Sequence, residues 1–85
     1  KAIAPIIYQV MQCSKKLGLS VDKTRQWVID AINAVEGLEV EYYSIVDGNS
    51  LADVHSWDEA DSIVGCITVY CGKTPIRLID HTRYK

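Results

Sequence analysis

The apolar period of this chain changes once, from three or four residues to two, and the change falls at Gly37-Leu38. Helical spacing before that point and strand spacing after it confine the chain to folds whose helices and strands are segregated. Ile3, Ile6, Ile7, Val10, Met11 and Leu17 share one face of a helix. Pro5 suits a first turn because it has no amide hydrogen to leave unpaired, and Gly18 supplies a left-handed ending, which predicts a helix over about residues 4–17. Ser20 is a natural cap for a second helix, with Asp22 in the first turn where the helix dipole favours negative charge. Val21, Thr24, Trp27, Val28, Ala31, Ile32 and Val35 give that helix its apolar face, Gly37 ends it, and Trp27 is assigned to the core.

Beyond Leu38, the residues Leu38, Val40 and Tyr42 alternate with Glu39, Glu41 and Tyr43, so the first set is expected to face inward and the second outward. Asp47-Gly48-Asn49-Ser50 has turn chemistry. Leu51 to Trp57 reads as a short strand or an extended crossing, and Asp58-Glu59-Ala60-Asp61 as an acidic helical turn; its helicase-like spelling lacks the strands such a motif requires. Ile63 to Tyr70 is β-branched and free of charge, as a central strand buried on both faces would be, and Arg77-Leu78-Ile79 is its partner. The order α, α, β, β, β predicts an α+β two-layer domain, two N-terminal helices packed on a roughly three-stranded antiparallel sheet, with residues 1–85 forming a single domain.

Nine basic and eleven acidic residues leave a net charge of −2, with neither sign gathered into a block. That balance argues against nucleic acid as a partner, because phosphate neutralisation needs a basic patch. Lys15, Lys16, Lys23 and Arg25 cluster only as a solvated corner. No apolar run approaches the roughly 18 residues that cross a bilayer, so no membrane partner is expected. The odd count of cysteines, Cys13, Cys66 and Cys71, favours a reducing compartment over a disulfide framework. The chain opens on Lys1 with helical periodicity already running at Ile3, which reads as a piece of something longer.

Gly72-Lys73-Thr74 has the spelling of a phosphate-loop tail. Such a loop needs a glycine at Ile67 and a helix after the threonine, whereas Pro75 and a β-rich run follow. The segment is therefore read as a hairpin connection. Cys66 and Cys71 stand an odd number apart, point to opposite faces of one strand, and with His55 and His81 give no ligand-type spacing for zinc. Asp53, His55 and Ser56 spell a triad without its geometry, since residues one and two apart rarely face each other; His55 is read as a surface histidine. Asp47 and Asp80 are expected to end strands and satisfy turn amides, and His81 to follow the last strand. Tyr42 and Tyr43 point to opposite faces and so form no stacking platform. No catalytic, cofactor-binding or metal site is assigned to any residue of the chain.

Glu41-Tyr42-Tyr43-Ser44-Ile45-Val46-Asp47, Leu51 four residues later, and Gly72-Lys73-Thr74 with Arg77-Leu78-Ile79-Asp80 together resemble the carboxyl-terminal domain of the pantothenate synthetase family. The likeness covers nearly the whole chain. Family members tend to run a glycine-x-threonine turn straight into arginine-leucine-isoleucine-aspartate-asparagine; here Pro75-Ile76 intervenes and His81 takes the asparagine's place, implying a longer or bulged hairpin. The resemblance implies a cytoplasmic ATP- and Mg2+-dependent ligase that joins pantoate to β-alanine through a pantoyl-adenylate. It further implies that the catalytic motifs lie in a nucleotide-binding domain outside these residues and that this domain is a lid. The enzyme would be a homodimer held through its other domain, and this chain alone a monomer, inactive and binding no cofactor. The alternative from the residues alone is a small metabolite-binding or regulatory module.

Overall fold

A computed structural model describes residues 3–72 and 76–85. Its elements are α1 (Ile3–Ser14), α2 (Val21–Asn33), β1 (Leu38–Asp47), β2 (Ile63–Cys71) and β3 (Ile76–Arg83). The strands form one antiparallel sheet in the order β1-β2-β3. α2 lies over β1 and α1 over β3, so the helices form a layer on one face, as the change of period requires. Ile7, Met11, Val21, Val28 and Ile32 from the helices close on Tyr43, Ile45, Ile63, Ile67 and Val69 from the sheet.

Both helices are shorter than their apolar spacing suggests. After Ser14 the amides of Lys15, Lys16 and Leu17 bond three residues back, to Gln12, Cys13 and Ser14. This tightening turns Leu17 out of the core, and it is 44 % exposed. Gly18 then takes φ +67°, the left-handed ending expected of it. Ser20 caps α2 through its hydroxyl, which accepts the Lys23 amide at 3.3 Å. Replacing Ser20 with alanine should cost about 1 kcal/mol, read as a fall of about 4–8 °C in the thermal midpoint.

The largest departure from the expected pattern is in β1. Val40 pairs with Val69, yet Tyr42, not Glu41, pairs with Thr68, so Glu41 is an extra residue in a β-bulge. One inserted residue reverses every later side chain, because the strand period is two. Tyr43 is therefore the buried one, 3 % exposed, and Tyr42 the outer one, opposite to the inward and outward sets expected from alternation.

Of the two readings of residues 51–57, the structure takes the crossing segment and not the strand, with a single bridge joining Asp53 to Val46. Two further expectations are corrected. Residues 58–61 are not helical but a bend held by the Glu59 amide on the Ser56 carbonyl, 3.1 Å. The last strand runs four residues past Ile79, which places Asp80 and His81 inside β3, because pairing with β2 continues to Val64–Arg83. β2 is central as expected but unevenly buried: Ile63, Gly65, Ile67, Val69 and Cys71 are buried on the helical face, while on the other face Thr68 is buried and Val64, Cys66 and Tyr70 are half-buried. Among the described residues no helix is long and apolar enough to cross a membrane. The longer or bulged hairpin expected from Pro75-Ile76 turns on residues 73–75, which lie outside the described residues.

Candidate functional site

On the helical side, Ser14, Lys15, Leu19, Thr24, Trp57 and Tyr84 border a shallow cleft of about 170 Å³. Trp57 is fixed by its indole N–H on the Leu19 carbonyl, 2.8 Å, and its ring lies 5.2 Å from that of Tyr84. The Lys15 ammonium stands 6.0 Å from the Tyr84 ring. The cleft is smaller than the roughly 300 Å³ at which pockets begin to enclose a metabolite.

Behind it three hydroxyls form a chain. Ser14 donates its one proton to the Met11 carbonyl at 2.6 Å, so it must accept from Tyr84 at 2.8 Å, and Tyr84 in turn accepts from Tyr43. Burial pushes the Tyr43 phenol far above its usual range, with Tyr84 adding to the shift, and burial also raises Tyr84. Phenols so held are weaker acids than free ones and stay protonated near neutrality. The chain is a clasp that ties α1, β1 and the carboxyl-terminal segment together.

Gly65 makes room for it. A Cβ at this position would lie 2.8 Å from Tyr43 Cζ and 2.8 Å from Tyr84 Cε2, closer than packed atoms tolerate. Sequence reasoning missed Ser14, Gly65 and Tyr84; the one signal was an isolated glycine in a β-branched run, which marks close approach of another group.

The opposite face of the sheet is open. The register sets Tyr42, Thr68 and Ile79 in one row and Ser44, Cys66 and His81 in the next. Tyr42 is 49 % and Ile79 77 % exposed. Arg77 bonds Glu41 at 3.3 Å and its guanidinium carbon lies 5.9 Å from the Tyr70 ring; the Glu41 carboxylate pushes the Arg77 pKa up.

The singled-out polar residues are dispersed. His55 is exposed with Nδ1 3.9 Å from an Asp22 oxygen, Ser56 accepts the Asp58 amide, and Asp53 is on the bridge to Val46, so the three do not converge. Asp47 accepts the amides of Asn49 and Ser50, the turn role expected of it, and Asp80 accepts the His81 amide at 2.8 Å. Cys71 is buried on the helical side and Cys66 half-buried on the other, as their odd spacing requires. Arg25 pairs with Asp22 at 3.1 Å. Gly72 bonds back to the Gly37 carbonyl at 2.7 Å; Lys73 and Thr74 lie outside the described residues. Among the described residues no three His, Cys, Asp or Glu side chains meet as a metal site would require.

Fold and geometry together define a two-layer α+β module with an internal hydroxyl clasp and one open sheet face. The chain belongs to the pantoate-beta-alanine ligase family, whose sequence model matches residues 1–83. It is 44 % identical over 87 residues to a pantothenate synthetase of Porphyromonas gingivalis strain W83, a match spanning all of this chain and 30 % of that protein. A pantothenate synthetase of Bacteroides fragilis strain YCH46 is 52 % identical over 66 residues, 78 % of this chain and 23 % of the relative. That of Azobacteroides pseudotrichonymphae is 38 % identical over 86 residues, 99 % of this chain and 30 % of the relative. The chain thus spans less than a third of the relatives it matches.

Proposed function

We propose that this chain is the carboxyl-terminal lid of an ATP-dependent ligase that joins pantoate to β-alanine. In that reaction the pantoate carboxylate displaces pyrophosphate from the α-phosphate of ATP, and the β-alanine amine then displaces AMP from the acyl carbon. The observation that carries the reading is the family match along residues 1–83. What supports placing ATP and Mg2+ elsewhere is that Asp47 and Asp80 accept backbone amides and Arg77 pairs with Glu41. Nucleotide, metal, pantoate and β-alanine are accordingly assigned to the remainder of a cytoplasmic, homodimeric enzyme that is joined through its other domain.

A lid must keep water from a hydrolysable acyl-adenylate, and a module that moves as one body does this better than a loose one. The clasp and the continuous three-stranded sheet supply that stiffness. The test is pantothenate formation from ATP, pantoate and β-alanine, measured with the full-length protein and with the 85-residue chain, which is expected to be an inactive monomer. Turnover by the full-length protein alone is the expected result; turnover by the short chain would overturn the assignment of the chemistry to the remainder.

A further inference from the structure

β3 is an edge strand, with β2 on one side and, among the described residues, no strand on the other. The His81 amide donates to the Asp80 carboxylate at 2.8 Å and not to β2, whereas the Tyr84 amide reaches the Ile63 carbonyl. Backbone groups alternate in direction along a strand, so those of Arg77, Ile79 and His81 all point to the free edge. Such an edge is a template for a further strand. This one runs from Ile76 to Arg83 without proline or glycine, and its register on β2 is continuous, so no bulge turns it away. Ile76 is 55 % and Ile79 77 % exposed along it, and Asp80 is its one acidic residue.

We infer that Asp80 guards this edge, and that what it excludes is the β3 of a second copy of the chain. Two β3 strands can pair antiparallel about a two-fold axis through Ile79, which sets Ile79 against Ile79 of the other copy and Arg77 against His81. The exposed isoleucines then cover each other. Charge chooses this register, because moving the axis to Asp80 would set Arg77 against Arg83 of the other copy, and like charges directly opposite repel. With Ile79 on the axis, each His81 amide has to donate to the Arg77 carbonyl of the other copy. The Asp80 carboxylate already holds that amide. Pairing therefore gives up a charge-assisted hydrogen bond in each copy and draws each carboxylate out of water beside an incoming carbonyl oxygen.

The test is the molar mass of the 85-residue chain by sedimentation equilibrium over about a hundredfold range of concentration, since mass action reveals a weak dimer only at the upper end. The wild-type chain is expected to hold the monomer mass throughout. Asp80→Ala is expected to climb toward twice that mass. Asp80→Thr, β-branched and so suited to a strand, is expected to do the same and carries the test if the alanine variant does not fold. Adding Ile79→Lys to either is expected to return the monomer, because it sets two like charges across the axis. A constant monomer mass in folded Asp80→Thr would overturn the inference. So would association that survives Ile79→Lys, which would place the contact on another surface, or a wild-type chain that associates through Ile79 with Asp80 still in place.

Discussion

Gly65→Ala is expected to destabilise the fold by about 3 kcal/mol, the upper part of the range for overpacking a core, and to lower the thermal midpoint by about 15 °C. The added methyl would enter the space of two aromatic rings, with Tyr43 Cζ and Tyr84 Cε2 each 2.8 Å away and the Tyr43 hydroxyl closer still. Neither ring can yield cheaply. Tyr43 is 3 % exposed beside Ile67, its partner across the ladder, and Tyr84 is held by Ser14 and by its contact with Trp57. Displacing either ring breaks the hydroxyl chain, leaving buried polar groups unpaired at about 1–3 kcal/mol each. Thermal unfolding of Gly65→Ala, Tyr43→Phe and the double variant checks the account. The double variant should be less destabilised than the sum of the singles, because the phenylalanine removes one of the colliding atoms. Strict additivity would show that the methyl is accommodated elsewhere.

Much of the architecture is legible in the sequence because its signals are local. The period change at Gly37-Leu38, the Ser20 cap, the Gly18 ending and the charge-free run from Ile63 each act within a few residues, and each appears in the structure. What is not legible depends on partners distant in sequence. Nothing in Leu38 to Tyr43 betrays the bulge, since Glu41 is an ordinary outward residue and either tyrosine suits either face; only the register against Val69 and Thr68 decides. Asp80 looks like a strand end because aspartate favours turns, but β2 offers it a partner in Ile67 and the strand continues. The clasp joins residues up to 70 positions apart, beyond any sequence window. The bulge and the clasp are one device: without the extra residue Tyr43 would face the open side and Tyr84 would lose its donor.

Above pH 10 the fold is expected to weaken, and Tyr43 sets the direction. In the unfolded chain its phenol ionises near pH 10, whereas in the fold burial, with Tyr84 adjacent, keeps it protonated well beyond that. Past pH 10 the folded state therefore binds more protons than the unfolded state, so stability falls as pH rises; below pH 10 the full contribution is present. Tyr43 alone removes about 1 kcal/mol between pH 10 and pH 11, and the slope approaches about 1.4 kcal/mol per unit beyond. Tyr84, whose shift has the same sign, adds a smaller part because it is only half-buried. Urea unfolding midpoints at pH 8, 10 and 11 measure the slope. In Tyr43→Phe the fold should be weaker at pH 8 by about 1 kcal/mol, the worth of a lost hydrogen bond, yet its decline from pH 10 to pH 11 should be shallower by the Tyr43 share. An unchanged slope in that variant would mean that the Tyr43 phenol ionises as readily inside the fold as outside it, and the clasp would then not be the closed chain of hydroxyls derived from its geometry.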